Sequence, residues 1–174
     1  MTDINQAEYQ ALRNTIRDRG TARVCAVLAG VVAWAALAVA VLATELKGAI
    51  MLVPLVVLVA TFEINFFIHT GVERIGRYLQ VFYEEQGGAI GWETTAMNLG
   101  AKFPSGLDPL FAAIFASAAA LNFLSALAGA QRPRWMALSL LAHLGFAYRI
   151  VVARKLAGAQ RALDLDRFRG LLSK

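Results

Sequence analysis

The sequence predicts an all-α integral membrane bundle of four transmembrane helices, arranged as two antiparallel hairpins in a single membrane domain. Its 174 residues are 58% apolar and only 17% charged, which lies outside the balance of ordinary globular domains. Four apolar runs are long enough to cross a bilayer, because about 20 residues at about 1.5 Å each span the roughly 30 Å hydrocarbon core. These predicted spans are residues 24–44, 49–70, 109–130 and 135–153.

The first apolar run is predicted to be a retained membrane anchor and not a removable signal peptide. A signal peptide has a short basic leader and an apolar stretch of about 7 to 15 residues. Here the leader, residues 1–23, is longer and carries Asp3, Glu8 and Asp18 among its arginines. We therefore expect it to form a cytoplasmic helix ahead of the first span.

The distribution of cations predicts the orientation of the chain. Of the 17 Lys and Arg residues, all but Lys47, Arg132 and Arg134 lie in the leader, in the connection 71–108, or at and beyond the inner end of the fourth span. Short loops rich in cations stay on the cytoplasmic side. We expect a multi-pass protein of the bacterial inner membrane with both termini in the cytoplasm. The net charge of +5 is then explained by the cations that keep these segments on the cytoplasmic side. No nucleic-acid partner is therefore predicted.

The second span is predicted to continue as a helix into the cytoplasm over residues 71–86. Glu73 and Arg77, four residues apart, can support this helix as an ion pair of about 0.2 to 0.5 kcal/mol. Gly87 and Gly88 are expected to end it. Apolar residues recur along it at intervals of four and three, which is a heptad stripe. The stripe comprises Ile68, Val72, Ile75, Leu79 and Phe82.

This stripe needs a cover, and the sequence offers two. One is the leader, where Tyr9, Leu12 and Ile16 line one helical face. The other is a second copy of the protein. The stripe is too short to distinguish them, because coiled coils are recognised over three or four heptads.

The segment 87–108 is predicted to be a loop or a short interfacial helix, since it is rich in Gly and is closed by proline. Trp92 suits the level of the lipid headgroups. A phosphate-binding loop is not predicted, because no strand precedes the glycines and no Lys-Ser/Thr pair follows them. The candidates for cytoplasmic interactions are Ile75, Leu79, Phe82, Trp92 and Glu93.

The tail, residues 154–174, is basic and amphipathic. Its apolar face, which begins at Val152 and includes Leu156, Ala159 and Leu163, fits anionic headgroups. An ordinary helix end beside the membrane is the preferred interpretation.

Small residues three or four apart predict close helix contacts in two spans, within one chain or between chains. The two faces are Ala29, Ala33, Ala36 and Ala40 in the first span, and Ala112, Ala116 and Ala120 in the third.

Polar side chains inside the spans are the main functional signal, because an ionisable group at the bilayer centre costs at least about 2.5 to 3.5 kcal/mol. Glu63 and Arg149 lie at similar predicted depths below the cytoplasmic boundary. We predict that they pair, with Tyr148 as a further donor. The alternative is that Arg149 reaches the interface while Glu63 stays protonated in a wet crevice.

Asn122 and His143 also match in depth, which predicts a hydrogen bond between the third and fourth spans of about 0.6 to 2 kcal/mol. Asn65 and His69 complete the set of intramembrane candidates. A bis-histidine haem would need His69 and His143 at equal depths, and they differ. No cofactor or metal is predicted.

Signatures of an enzyme are absent from the sequence. There is no HExxH motif, no serine or cysteine nucleophile with a convincing base, and no pair of buried carboxylates. We therefore expect a protein without catalytic activity.

Three motifs resemble a group of uncharacterised prokaryotic multi-span membrane proteins. They are the leader "EYQALRNTIRDRGTAR", the segment "RIGRYLQVFYEE" that follows the second span, and "GWE" at residues 91–93. The resemblance covers roughly the first hundred residues, and the alanine-rich second half departs from it. It implies a shape of spans plus a helical extension, and it implies no chemistry.

Two functions follow from these observations. In the first, the protein is a packing subunit or anchor of a membrane-associated complex and docks a membrane or cytoplasmic partner. In the second, several copies form a pore around polar groups such as Glu63 and Asn65, gated through the helical extension, since charged rings select cations. The first is preferred, because residues 50–60 are apolar throughout and give no continuous polar stripe.

Overall fold

Long apolar helices dominate the chain, as its composition predicts. The structure, a computed structural model, describes residues 3–44, 48–87, 91–102, 109–129 and 132–173. Every regular element in this part of the chain is helical, so the all-α prediction is confirmed. Three helical segments are long and apolar enough to cross a membrane: Gln6–Ala43, Gly48–Gly87 and Pro133–Leu172. The helix of the third predicted span has a shorter apolar stretch, Phe111–Leu127.

Helix α1 joins the leader to the first predicted span without a break, and α6 joins the fourth span to the tail. A 3₁₀ turn, Gly48–Leu52, precedes α2, and a π-helical turn, Gln80–Glu84, links α2 to α3. The helices are α1 Asp3–Ala43, α2 Val53–Leu79, α3 Glu85–Gly87, α4 Trp92–Lys102, α5 Pro109–Gly129 and α6 Pro133–Leu172.

Two features differ in detail from the sequence prediction. Residues 92–102 form α4, so the helical alternative for this segment describes it better than a loop. The extension of the second span is helical through Gly87, but it changes from α to π geometry at Gln80. The predicted stop at Gly88 lies outside the described residues, as does Pro104 in the predicted loop.

Contacts along the chain define two compact units. The apolar unit consists of Val24–Phe66 and Asp108–Ala153. The polar unit consists of Met1–Arg23, Phe67–Leu107 and Arg154–Lys174. Helices α1, α2 and α6 contribute residues to both.

Aromatic side chains form the centre of the apolar unit. Phe62 on α2 is buried, and its ring makes edge contacts with Phe115 on α5 at 5.3 Å and with Phe146 on α6 at 5.7 Å between centroids. Such edge-to-face pairs are worth about 0.5 to 1.5 kcal/mol beyond the area that they bury. Three helices therefore meet at Phe62.

Helix α1 packs against α2 through a glycine. A Cβ atom at Gly30 would overlap the side chain of Thr61, whose hydroxyl donates a hydrogen bond to the Val57 carbonyl. The predicted contact face of α1 is different: Ala29, Ala33, Ala36 and Ala40 are all exposed. Helix contact within the chain thus uses the neighbouring face, because Gly30 permits a closer approach than alanine does.

The polar unit packs its helices around the end of α2. Leu79 and Val81 are fully buried, and Tyr78 and Phe82 contact the ring of Phe168 from α6. Tyr9 from α1 contacts Tyr83 at 5.5 Å between ring centroids. The tail thus contacts the heptad stripe at Phe82, and the leader contacts the adjacent residue Tyr83.

We predict that Gly30→Ala lowers the free energy of unfolding by about 1 to 3 kcal/mol, because the added methyl group overpacks the contact with Thr61. Gly145→Ala in α6 is the control, since a Cβ there meets no atom within 4 Å. Its free energy of unfolding should rise by up to about 1 kcal/mol, because alanine has a higher helix propensity than glycine. Unfolding in mixed detergent micelles, followed by circular dichroism, measures both; equal midpoints for the two variants would contradict the close contact.

Candidate functional site

The structure brings Glu63 of α2 and Arg149 of α6 together, as their matching depths predict. Arg149 Nη2 donates a hydrogen bond of 2.8 Å to Glu63 Oε2, and Nε lies 2.8 Å from Oε1. Two parallel N···O contacts of this kind are the strongest form of charge-assisted pairing. The pair cancels two charges inside the apolar unit.

Aromatic rings hold the guanidinium of this pair. Its central carbon lies 4.8 Å from the ring centroid of Phe66 and 5.8 Å from that of Phe62, which is cation–π distance. Tyr148, predicted as a further donor, is instead 71% exposed. It lies one residue before Arg149 on the helix, and adjacent helical residues do not share a face.

A second polar network links three helices of the apolar unit. Asn122 on α5 accepts a hydrogen bond from Trp34 Nε1 of α1 at 3.1 Å, and its amide nitrogen lies 3.0 Å from His143 Nε2 of α6. His143 Nδ1 lies 2.7 Å from the Ser139 carbonyl. Nδ1 therefore carries the proton and Nε2 accepts from Asn122. Both ring nitrogens of His143 have protein partners, which argues against a role as a haem ligand.

The other two intramembrane candidates lie in different units. Asn65 is buried in the apolar unit. His69 is buried in the polar unit, where Nδ1 lies 3.3 Å from Arg23 Nη1. Among the described residues, no group of three or more His, Cys, Asp or Glu is placed to hold a metal ion.

The polar unit contains a buried charge cluster around Glu93, one of the residues predicted from the sequence to take part in cytoplasmic interactions. The Glu93 carboxylate accepts from Arg13 Nη1 at 2.7 Å and from Arg77 Nη2 at 3.1 Å. Arg77 also donates to Gln80 at 2.7 Å. The predicted ion pair of Glu73 with Arg77 is replaced, because Glu73 lies 2.7 Å from Arg161 Nε on α6. Partners on other helices thus displace the local pair.

Glu84 caps helix α4 from the π-helical turn. Its carboxylate accepts from the backbone N–H groups of Glu93 and Thr94 at 2.9 and 2.8 Å, and from the Thr94 hydroxyl at 2.8 Å. The first N–H groups of a helix have no partner within the helix and favour a negative charge. The π turn buries Gln80, Val81 and Glu84 together, and a Cβ atom at Gly91 would overlap Glu84. The sequence signal for this cap is the spacing of Glu84, Gly91 and Thr94.

Burial shapes the titration of this cluster. Burial lowers the pKa of Arg77, against the opposing effect of Glu73 and Glu93. Burial also lowers the pKa of Arg13, but the hydrogen bond to Tyr9 and the charge of Glu93 outweigh it, so the net pKa is raised. For Tyr83, burial and, to a smaller extent, the Glu8 carboxylate together raise the pKa to about 12. All of these groups keep their ordinary charge states at neutral pH.

The candidates for cytoplasmic interactions separate into two sets. Leu79 and Glu93 are buried, and Ile75 and Phe82 are half-buried, so these four serve the packing of the polar unit. Trp92 is 71% exposed at the start of α4 and is the member of the set that faces outward. The tail face at Leu156, Ala159 and Leu163 is exposed as well.

No family model, no curated protein and no solved structure matches this chain. The resemblance to uncharacterised prokaryotic multi-span membrane proteins therefore stays a prediction.

We predict that Glu63 and Arg149 are strongly coupled. Replacing either one by Gln leaves a charge without a partner in an apolar setting, so each single variant should lose more stability than the double variant Glu63→Gln/Arg149→Gln. The coupling free energy from the double-mutant cycle should be about 1 to 3 kcal/mol. Unfolding in mixed micelles measures it; additive single effects would contradict the pairing.

We predict that Glu84→Ala destabilises the polar unit by about 1 to 3 kcal/mol, because three donors of α4 lose their acceptor. Glu85→Ala is the matched control: it removes a carboxylate from the adjacent residue, whose exposed ion pair with Arg169 contributes at most about 1 kcal/mol. Hydrogen exchange of the α4 amides should accelerate in Glu84→Ala and stay unchanged in Glu85→Ala. Equal exchange in both variants would show that α4 does not depend on the cap.

Proposed function

We propose that the protein is a non-enzymatic membrane anchor or packing subunit of a membrane-associated complex. In this proposal four helices cross the bacterial inner membrane, including α5 as the third span, and both termini lie in the cytoplasm. The positive-inside distribution of cations supports this orientation. The polar unit then presents the docking surface for a membrane or cytoplasmic partner.

The observation that carries the proposal is the mutual pairing of polar groups in the apolar unit. Glu63 pairs with Arg149, and Trp34, Asn122 and His143 form one hydrogen-bonded chain. A conducting pore needs polar groups that face a water path. Groups that satisfy one another across α1, α2, α5 and α6 instead stabilise a packed bundle, which suits an anchor.

A homo-oligomeric pore is the second candidate. The exposed small-residue face of α1, formed by Ala29, Ala33, Ala36 and Ala40, favours it because such faces let helices of separate chains approach closely. In that case the helical extension in the polar unit would gate the pore.

Particle composition distinguishes the two functions. The protein is extracted in mild detergent, and the mass of the particle is measured by size-exclusion chromatography with light scattering. We expect each particle to contain one copy of this protein and a stoichiometric companion protein. Trp92→Ser should release the companion, since its indole is the exposed aromatic group of α4. Tyr148→Ser, at an equally exposed aromatic residue of the apolar unit, is the control and should retain it.

The pore predicts the opposite results. Two results together would support a channel and contradict the anchor proposal. The particle would be a closed homo-oligomer without a companion, and it would show a conductance in planar bilayers that Glu63→Ala abolishes. Absence of conductance from a protein with a bound companion supports the anchor.

A further inference from the structure

Most arginines of the polar unit lie within ion-pair distance of a carboxylate. The paired residues are Arg13, Arg17, Arg74, Arg77, Arg161 and Arg169. The carboxylate beside each of these cations cancels most of the charge that a further anion would experience. An anion is therefore bound best by cations of this unit that have no such neighbour.

Three exposed cations of the polar unit have no carboxylate within ion-pair distance among the described residues, and they lie close to the ends of the apolar helix segments. They are Arg19 on α1 and the neighbours Arg154 and Lys155 on α6. The apolar unit begins at Val24 on α1 and ends at Ala153 on α6. Arg154 and Lys155 follow directly, and Arg19 lies about 7 Å before Val24 along the axis of α1. We call these three residues the boundary cations.

The unbroken helix α6 determines how far each cation of the tail lies from the apolar segment. It is helical from Pro133 to Leu172, and each residue adds about 1.5 Å along the axis. Arg167 is also exposed and without an ion pair in the described part of the chain, but it lies about 20 Å beyond Arg154 along α6. The cations of the tail are therefore not equivalent, because only those of its first turn adjoin the apolar segment.

Large apolar side chains of the polar unit are exposed at the same positions along the helices. Phe67, the first residue of this unit on α2, is 79% exposed, and Leu156, which follows Lys155, is 50% exposed. Exposed apolar groups next to cations are typical of segments at the level of lipid headgroups, where the charges reach phosphate and the apolar groups contact acyl chains. A soluble anion would leave these apolar side chains in water. The combination thus fits an anionic amphiphile.

We propose that the boundary cations bind the headgroups of anionic phospholipids in the membrane leaflet next to the polar unit. A zwitterionic headgroup carries its own ammonium group, which these cations repel, so charge complementarity favours the anionic lipid. Binding holds α1 and α6 at a fixed depth in that leaflet. The inference rests on the bilayer location within the proposed function, but it does not depend on the anchor role.

The test compares the lipids that the full-length protein retains. The protein is reconstituted in vesicles of equal parts phosphatidylglycerol and phosphatidylcholine, which have the same acyl chains and differ in headgroup charge. It is then extracted in mild detergent, and native mass spectrometry counts the two lipids on each particle. Phosphatidylglycerol should be enriched over phosphatidylcholine roughly fivefold or more, which is the preference that one basic residue near an anionic surface provides.

Matched variants assign the preference to the boundary cations. Arg154→Gln removes one of them and should lower the enrichment roughly threefold to fivefold, whereas Arg154→Lys keeps the charge and should preserve the enrichment. Arg19→Gln should lower it in the same way through α1. Arg167→Gln is the control, because it removes the same charge from an exposed position farther along α6, and it should leave the enrichment unchanged. All of these positions are exposed, so the variants are expected to fold.

The outcomes are distinct. Enrichment that falls in Arg154→Gln and Arg19→Gln and persists in Arg154→Lys and Arg167→Gln supports the lipid site. Equal retention of both lipids by the unmodified protein, or equal losses in Arg154→Gln and Arg167→Gln, would overturn it. Release of the companion protein by Arg154→Gln at unchanged enrichment would assign the cation to that partner and also overturn it.

Failure of this inference and failure of the proposed function give different results. Retention of neither lipid would contradict the bilayer location on which both rest. Phosphatidylglycerol enrichment on a closed homo-oligomer that conducts would contradict the anchor role and leave the lipid site in place. A companion protein on a particle that retains both lipids equally would support the anchor role and contradict the lipid site.

Discussion

The absence of water from a bilayer core is the constraint on which the rest of this structure depends. A charged side chain there has no solvent to stabilise it, so it needs a partner from the protein. Glu63 and Arg149 satisfy each other, and Asn122 joins Trp34 to His143. These contacts cross between helices that lipid alone gives little reason to associate, since lipid tails are as apolar as leucine. Polar pairs and close small-residue contacts therefore determine how the apolar unit packs.

The polar unit also buries charged side chains. There they are compensated by a helix N-terminus and by ion pairs between helices. Glu84 supplies the acceptor that the start of α4 lacks, while Glu93 receives two guanidinium groups from α1 and α2. Such a cluster is a poor source of stability compared with apolar packing, but it specifies one arrangement of the helices when every member has a partner. Arg77 is an exception within the described residues, because its Nε–H has no acceptor there although Nη1 and Nη2 donate to Gln80 and Glu93.

Much of the architecture could be predicted from the sequence, because length and hydropathy determine where apolar helices lie. The pairing of Glu63 with Arg149 was also accessible, since rise per residue converts sequence position into depth. The π turn at Gln80 could not be predicted from the sequence, because it changes the helical period locally without a distinctive residue pattern. Periodicity also predicted an ion pair between Arg77 and Glu73 on the same helix. In the structure each of them instead pairs with a residue of another helix, Arg77 with Glu93 and Glu73 with Arg161. Contacts between distant segments leave no trace in local spacing.

Gly91 has a consequence for the recognition of relatives. The acceptor at position 84 occupies the space that any side chain at position 91 would need, so a glutamate at position 84 in this arrangement requires glycine at position 91. An acidic residue, a glycine seven positions later, and a hydroxyl residue three positions beyond that form a short diagnostic pattern. A chain that carries this pattern directly after a long apolar helix is expected to form the same cap between two helices.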